Sequence, residues 1–377
     1  MKIAVNTRLL IKGKLEGIGR FSLEILKRLA QNHPEHEFIF IFDRTPTSEF
    51  IFADNVRAVV ANPPARHPIL WYLFFEFGVY RVLKKENPDV FFSPDGWISL
   101  RSNTPTLNTI HDLNFEEHPE FLPKHIVRYY KKFFPRFAKK ATRLLTVSEY
   151  TKQDVSARYG VSPEKINVVY NAANDGFKKI NSARKKKIRN KHSSGKNYFL
   201  FVGLVHPRKN LYHQLKAFEY FKNKTGSDFK FLIVGARYSS TPKLNELLKN
   251  SPHAKDIIFT GRLSIDALVD IYGAAFALMY VSYFEGFGIP IVEAFRAEIP
   301  VITSNRTSMP EICGKGGLIV DPDDFRAIAE AMIKLYESEK LVEELIQNGR
   351  DQSNKYNWDH SAEKVMQALI KTAENSN

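Results

Sequence analysis

The sequence predicts an α/β protein with two open, doubly wound parallel sheets, and three observations carry that expectation. Short β-rich apolar runs alternate with amphipathic segments along nearly the whole chain, as parallel strands with crossover helices require. A single polar, basic interval interrupts the alternation. At 377 residues, 44% of them apolar, the chain exceeds the size of one core and has apolar material enough for two.

In the first half the β-rich runs are "KIAVN", "EFIFIF", "VRAVVA", "DVFFS", "TLNTI" and "RLLTVS", followed by "INVVYNA". The interval from Asn174 to Asn197, containing "KKINSARKKKIRNKHSSGK", has little apolar periodicity and is expected to be an interdomain linker. The alternation restarts with "YFLFVG", "FKFLIVG", "DIIFTG", "FALMYVS", "PVITS" and "GGLIV". The expected organisation is therefore a first domain over 1–173, a linker over 174–197, a second domain over 198–355 and a terminal helix within 356–377. In that last segment Ala362, Val365, Met366, Leu369 and Ile370 recur at helical spacing after Asp359, an aspartate suited to an N-cap.

Composition narrows the partners. Fifty-five basic against 41 acidic residues give a net charge of +14, which favours nucleotide phosphates, an anionic membrane surface or nucleic acid. The lone Cys313 excludes an intrachain disulfide and is expected to be a packed small residue. The opening "MKIAVNTRLL" lacks the apolar core and cleavage site of a secretion signal, and no later run is long enough to span a bilayer, so cytoplasmic residence is the expectation.

The chemistry-bearing segments fall where strands run into helices. In "YFEGFGIPIVEAF", Pro290 is suited to a first helical turn, which places Glu293 inside a helix and leaves Glu285 in the glycine-rich loop before it. Backbone N–H groups of such a loop, beside a helix N-terminus, favour an anion. In "LEGIGRFSLEIL", Gly17 and Gly19 precede an amphipathic helix and allow close backbone approach, with a tight turn as the plainer reading of the motif by itself. In "FLFVGLVHPRKNL", the strand ends at Gly203 and Arg208 and Lys209 follow; this pair suits a diphosphate, with exposed solubilising charge as the plainer reading. His111 and Asp112 follow the strand "TLNTI", where His111 either orients a hydrogen bond at a reaction centre or caps the strand end. "MPEICGKGGLIVDP", with Glu311, is the least distinctive.

Taken together, "GIGRF", "HDLNF", "VSEYTKQDV", "PRKNL", "FTGRL", "EGFGIPIVEAF" and "GGLIVDP" resemble the retaining, nucleotide-sugar-dependent glycosyltransferases of family 4, also called group 1. The resemblance runs over nearly the whole chain, and its most specific element is Glu285 and Glu293 with seven residues between them. It implies the GT-B fold: two Rossmann-like domains facing across a cleft, the first (1–173) on the acceptor side and the second (198–355) binding the nucleotide sugar, with the C-terminal helix crossing back to the first. It also implies site roles. Glu285 would contact donor-sugar hydroxyls, Glu293 the nucleotide ribose, and the backbone of Gly286, Phe287, Gly288 and Ile289 the sugar or diphosphate. Arg208 and Lys209, beside Gly203, would stabilise the departing diphosphate, which needs no metal or other cofactor. His111 would stand near the donor sugar, and Gly17 and Gly19 would face the phosphates, with Arg20 adding charge. The donor would be a UDP-sugar or GDP-sugar, and the acceptor a saccharide or lipid-linked saccharide of envelope polysaccharide, lipopolysaccharide or glycolipid. Two departures stand out: Leu204 replaces an arginine common after the strand glycine, and "YNAAND" replaces an asparagine-glycine turn.

"KHIVRYYKKFFPRFAKK" places Lys124, Arg128, Lys131, Lys132, Arg136, Lys139 and Lys140 on one helical face and aromatic residues on the others. It suits either an interfacial helix on anionic lipid, with the enzyme peripheral at the inner face of the membrane, or a core aromatic stripe under a solvated basic face. Pro135 is expected to interrupt or kink the helix. Nucleic-acid binding would explain the charge but not two glutamates, a histidine and an Arg-Lys pair at strand edges. Another GT-B activity, such as a nucleotide-sugar epimerase or sugar phosphorylase, is the alternative within the fold.

Overall fold

The computed structural model describes residues 1–15, 17–65, 67–236 and 241–374. The described residues form two compact units: residues 1–171 with 357–377, and residues 172–356.

The first unit is built on a seven-stranded parallel sheet of order β3-β2-β1-β4-β5-β6-β7, in which β1 is Lys2–Asn6, β2 Glu37–Phe42, β3 Val56–Val60, β4 Val90–Ser93, β5 Thr106–Ile110, β6 Arg143–Thr146 and β7 Ile166–Val168. These are the seven expected runs. The central strands read as almost unbroken apolar sequence because helices cover both faces of a parallel sheet. The order reverses at β1, whose neighbours are β2 and β4, with Ala4 opposite Ile39 on one side and Phe91 on the other. That reversal opens a crevice beyond the carboxyl ends of β1 and β4, where doubly wound sheets hold their ligands.

The second unit repeats the plan with six parallel strands in the order β10-β9-β8-β11-β12-β13: β8 Tyr198–Val202, β9 Lys230–Val234, β10 Ile257–Gly261, β11 Ala277–Tyr280, β12 Val301–Ser304 and β13 Gly317–Val320. Its switch point lies between β8 and β11, whose pairing sets Ala277 opposite Phe199. Gly203 and Gly235, at the ends of β8 and β9, both have φ 147, and a β-carbon on Gly235 would stand 1.9 Å from the Gly203 carbonyl oxygen. Only glycine lets these two strand exits pass so closely. Cys313 is buried, and burial pushes its thiol up to about 12, as expected of a packed residue.

Three local expectations need correction. The basic interval expected as a linker contains a helix, Ser182–Ser193, which belongs to the second unit. Its periodicity is weak because Ile188 supplies nearly all of its apolar burial; the Asn181 side chain caps it, and Arg189 Nε donates to the Ala274 carbonyl at 2.8 Å. The terminal helix begins at Trp358, and the side chain of Asn357 caps it in place of Asp359, accepting from the Asp359 and His360 N–H groups. Ala362, Val365, Met366 and Leu369 are buried as expected, whereas Ile370 is exposed. Helix Lys124–Lys140 continues through Pro135, because Phe133, Phe134 and Phe137 are buried on either side of the proline and their packing outweighs the lost backbone bond.

The same helix buries Phe133, Phe134 and Phe137 in the core, leaves Tyr129 and Tyr130 partly buried against it, and exposes all seven cations of its basic face. The terminal helix, Trp358–Glu374, lies in the first unit: Ser361 Oγ donates to the Tyr170 carbonyl at 2.7 Å and Arg28 Nε to Asp359 at 2.5 Å. Among the described residues no helix is long and apolar enough to cross a membrane.

Candidate active site

The loops leaving β8 and β11 meet at the switch point of the second sheet. After β8 the chain passes Gly203 and makes a short 3₁₀ turn, Pro207–Lys209, before helix Leu211–Thr225. The turn is fixed from both ends. His206 Nδ1 accepts from the Arg208 N–H, and the buried Gln214 amide donates to the Lys209 carbonyl at 2.8 Å. Lys209 therefore does not point to solvent. Its Nζ donates to Glu285 Oε1 at 2.6 Å and to the Tyr280 hydroxyl at 2.7 Å, and lies 4.7 Å from the centroid of the Tyr280 ring.

Glu285 receives two cations, one on each carboxylate oxygen. Arg208 Nη1 approaches Oε2 at 2.9 Å and also donates to the Phe284 carbonyl at 2.6 Å. Burial alone would hold the Glu285 carboxyl protonated; the charges of Arg208 and Lys209 and their hydrogen bonds outweigh it and depress the group to about 2. The carboxylate is thus ionised at neutral pH and fixed in place. The plain readings of solubilising cations and a solvent-facing glutamate do not hold for Lys209 and Glu285, which are 8% and 7% exposed.

The glycine loop is held by residues that the motif itself does not reveal. Thr307 Oγ1 accepts from the Glu285 N–H at 3.1 Å, and Ser308 Oγ lies at 2.8 and 3.0 Å from the carbonyls of Glu285 and Phe287. Thr307 has φ 52, a left-handed conformation uncommon for a β-branched residue. Helix Ile289–Arg296 then opens with Gly288 at φ 104 and Pro290 in its first turn, so Gly286, Phe287, Gly288 and Ile289 line the approach to a helix N-terminus. Glu293, one turn in, accepts from the Tyr272 hydroxyl at 2.7 Å. Glu285 and Glu293 are differently housed: the first is a counter-ion, the second a carboxylate oriented by a tyrosine.

Within this unit the structure brings together Gly203, Arg208, Lys209, Glu285 and the loop to Glu293. His111, Gly17 and Gly19 belong to the first unit. His111 follows β5, and its Nε2–H donates to the Pro94 carbonyl at 2.7 Å. Burial lowers its pKa, so the imidazole is neutral, with Nδ1 the unprotonated nitrogen. Phe21 meets its ring edge-on at 5.0 Å. Gly17 and Gly19 do not precede the helix but form its first turn, Gly17–Asn32, and Arg20 approaches Glu24 at 3.4 Å. A β-carbon on Gly17 would meet nothing, while one on Gly19 would stand 3.1 Å from the Leu9 carbonyl oxygen.

Tyr272, Tyr280, Thr307 and Ser308 are the hydrogen-bond partners within the candidate site that sequence reasoning missed. The available signal was a tyrosine at the carboxyl end of the apolar strand run "ALMY" and the hydroxyl pair in "NRTSMP" after β12. Among the described residues there is no group of three or more His, Cys, Asp or Glu placed to hold a metal ion.

Two doubly wound parallel units of this kind make up the GT-B fold seen in nucleotide-sugar glycosyltransferases, and the second carries an Arg-Lys-Glu cluster at its switch point in which Lys209 and Glu285 are buried and Arg208 is partly buried. Residues 182–352 match the family model "Glycosyl transferases group 1" and residues 15–176 match "Glycosyltransferase Family 4". The chain belongs to this glycosyltransferase family. It is 26% identical over 369 residues to the O-antigen chain mannosyltransferase B of Escherichia coli, covering 95% of this chain and 97% of that protein. It is 29% identical over 282 residues to the O-antigen chain mannosyltransferase RfbU of Salmonella typhimurium, covering 74% of each. Among solved structures, a glycosyltransferase from Rickettsia africae superposes with a TM-score of 0.76 at 19% identity, over 99% of both chains.

Proposed function

We propose that the protein transfers a hexosyl residue, with retention at the anomeric carbon, from a UDP-sugar or GDP-sugar to a hydroxyl of a saccharide or lipid-linked saccharide in envelope polysaccharide synthesis. The observation that carries this reading is the ion-pair cluster in which partly buried Arg208 and buried Lys209 both meet the buried Glu285. As the glycosidic bond breaks, negative charge grows on the departing diphosphate. Two cations already fixed in place, Lys209 largely desolvated, help that transition state more than the ground state. Glu285 holds them ready and turns toward donor-sugar hydroxyls; Glu293, oriented by Tyr272, receives the ribose; the opening of helix Ile289–Arg296 and the bare Gly203 accommodate the phosphates. His111, like Gly17 and Gly19, belongs to the first unit, and its neutral imidazole is a hydrogen-bonding group and not a cation. The chemistry requires no metal, since Arg208 and Lys209 supply the positive charge.

The names of the relatives in Escherichia coli and Salmonella favour a mannosyl donor and an O-antigen-like acceptor as the first to try. An acceptor carried on anionic lipid at the cytoplasmic side of a membrane suits the seven exposed cations of helix Lys124–Lys140. The test is a transfer assay with UDP- and GDP-sugars, followed by NMR of the product anomer. Turnover with one nucleotide series and a retained anomer is expected; an inverted product, or no turnover of any nucleotide sugar, overturns the reading.

A further inference from the structure

The first sheet has a switch point too, and the structure furnishes it with its own ion pair. Arg8 leaves the carboxyl end of β1 and Asp95 the carboxyl end of β4, and Arg8 Nε donates to Asp95 Oδ2 at 2.6 Å. Arg8 and Asp95 thus stand in the first sheet as Lys209 and Glu285 stand in the second: one charged residue after the strand where the order reverses, its partner after the neighbouring strand.

Asp95 is fully occupied. Its side chain is 2% exposed, and it also accepts from the Asn6 amide at 2.7 Å, from Ser93 Oγ and from the Trp97 N–H. Arg8 is not. Its side chain is only 10% exposed, and its guanidinium carbon lies 5.1 Å from the Trp97 ring centroid and 5.9 Å from that of Trp71. Yet among the described residues no atom accepts a hydrogen bond from either terminal nitrogen. A guanidinium stacked among aromatic rings, with Nε tied down and the Nη edge unspent, is pre-organised for a ligand that offers a pair of oxygens.

The surroundings select the kind of oxygen. Trp71, Tyr129 and Tyr130 are only partly buried and present ring surface, and Tyr130 is close enough to Arg8, Asp95 and Asp112 for their charges to act on its hydroxyl. Asp95 already neutralises Arg8, and Asp112 adds negative charge, so a phosphate would meet no net attraction. A neutral polyol meets hydrogen-bond donors, acceptors and aromatic faces. We propose that Arg8, positioned by Asp95 and flanked by Trp71, Tyr129 and Tyr130, anchors a neutral saccharide at the switch point of the first sheet and so specifies the acceptor. This rests on the glycosyltransferase reading above.

Binding is measured in the absence of nucleotide by the intrinsic fluorescence of the full chain, titrated with methyl glycosides of mannose, glucose, galactose and N-acetylglucosamine, with inorganic pyrophosphate as the anionic probe. Saturable quenching by at least one glycoside in the millimolar range is expected, at least tenfold weaker in R8K, which keeps the charge and loses the fork. W71F, which leaves the Arg8–Asp95 pair intact, should weaken it severalfold, and near-UV circular dichroism checks that both variants fold. If R8K does not fold, W71F alone decides. Quenching by pyrophosphate in place of glycosides, no response to any glycoside, or wild-type affinity in the folded variants overturns the proposal. Because no donor is present, failure here leaves the proposed transfer reaction standing, and failure of every nucleotide sugar in the transfer assay leaves this binding result standing.

Discussion

Lys209 reaches across 76 residues of sequence to place its ammonium 2.6 Å from Glu285, and both side chains are buried. Each is the reason the other can be charged in that environment. Removing Glu285 leaves Lys209 buried without a counter-ion, and removing Lys209 leaves Glu285 with Arg208 alone; breaking a buried pair ordinarily costs about 3–5 kcal/mol.

K209A is therefore expected to act twice. Donor turnover should fall by about 10²-fold or more through loss of charge stabilisation on the leaving group. Urea denaturation should show a stability loss of about 3 kcal/mol, because Glu285 keeps only Arg208. Single-turnover kinetics on the folded fraction separates the two effects; wild-type turnover would remove Lys209 from the site.

The same pair gives stability a pH dependence with a defined sign. Glu285 is held at about 2, against an ordinary 4.5, so the native state binds its proton less readily than the unfolded chain does. Its contribution, about 3 kcal/mol from that difference, is complete above pH 4.5 and disappears as the pH falls toward 2. Urea midpoints measured through that window should fall in wild type, and E285Q should flatten the dependence while being less stable at neutral pH.

Tyr272 tests the separate role of Glu293. Y272F removes the 2.7 Å bond that orients the carboxylate and leaves the ring packed on Phe177. Affinity for UDP or GDP, followed by calorimetry, should drop by about 5–10-fold, with a stability change of about 1 kcal/mol. Unchanged affinity would detach Glu293 from the ribose.

Gly235 has no tolerable replacement. At φ 147 and with the Gly203 oxygen 1.9 Å from the place of a β-carbon, G235A must displace the exit of β8 on which Arg208 and Lys209 depend. A loss of about 3 kcal/mol or more is expected in chemical denaturation. G226A, a helix C-cap at φ 62 with nothing near its β-carbon position, should cost about 1 kcal/mol.

The thirteen strands were legible because each is a short apolar run closed by turn residues, and parallel strands under helices need no finer pattern. The helix from Ser182 was not, since a segment with one main buried anchor, Ile188, reads as solvated chain until its cap and its partner Ala274 are known. Of the candidate site, the charged and glycine residues announce themselves by type and spacing. Tyr280, Tyr272, Thr307 and Ser308 do not, because they act through contacts with residues 21 to 71 positions distant, often across separate strands, and a hydroxyl beside a strand is common. Arg8 and Asp95 are hidden for the same reason: only the strand order makes neighbours of positions 87 apart.

The closing helix belongs to the unit with which the chain begins, while residues 172–356 form the other without interruption. On a ribosome the half synthesised first is consequently the half finished last. The nascent first sheet must wait, its face toward Arg28 and Tyr170 uncovered, until helix Trp358–Glu374 emerges, whereas residues 172–356 have their entire complement of strands in hand before that helix is made.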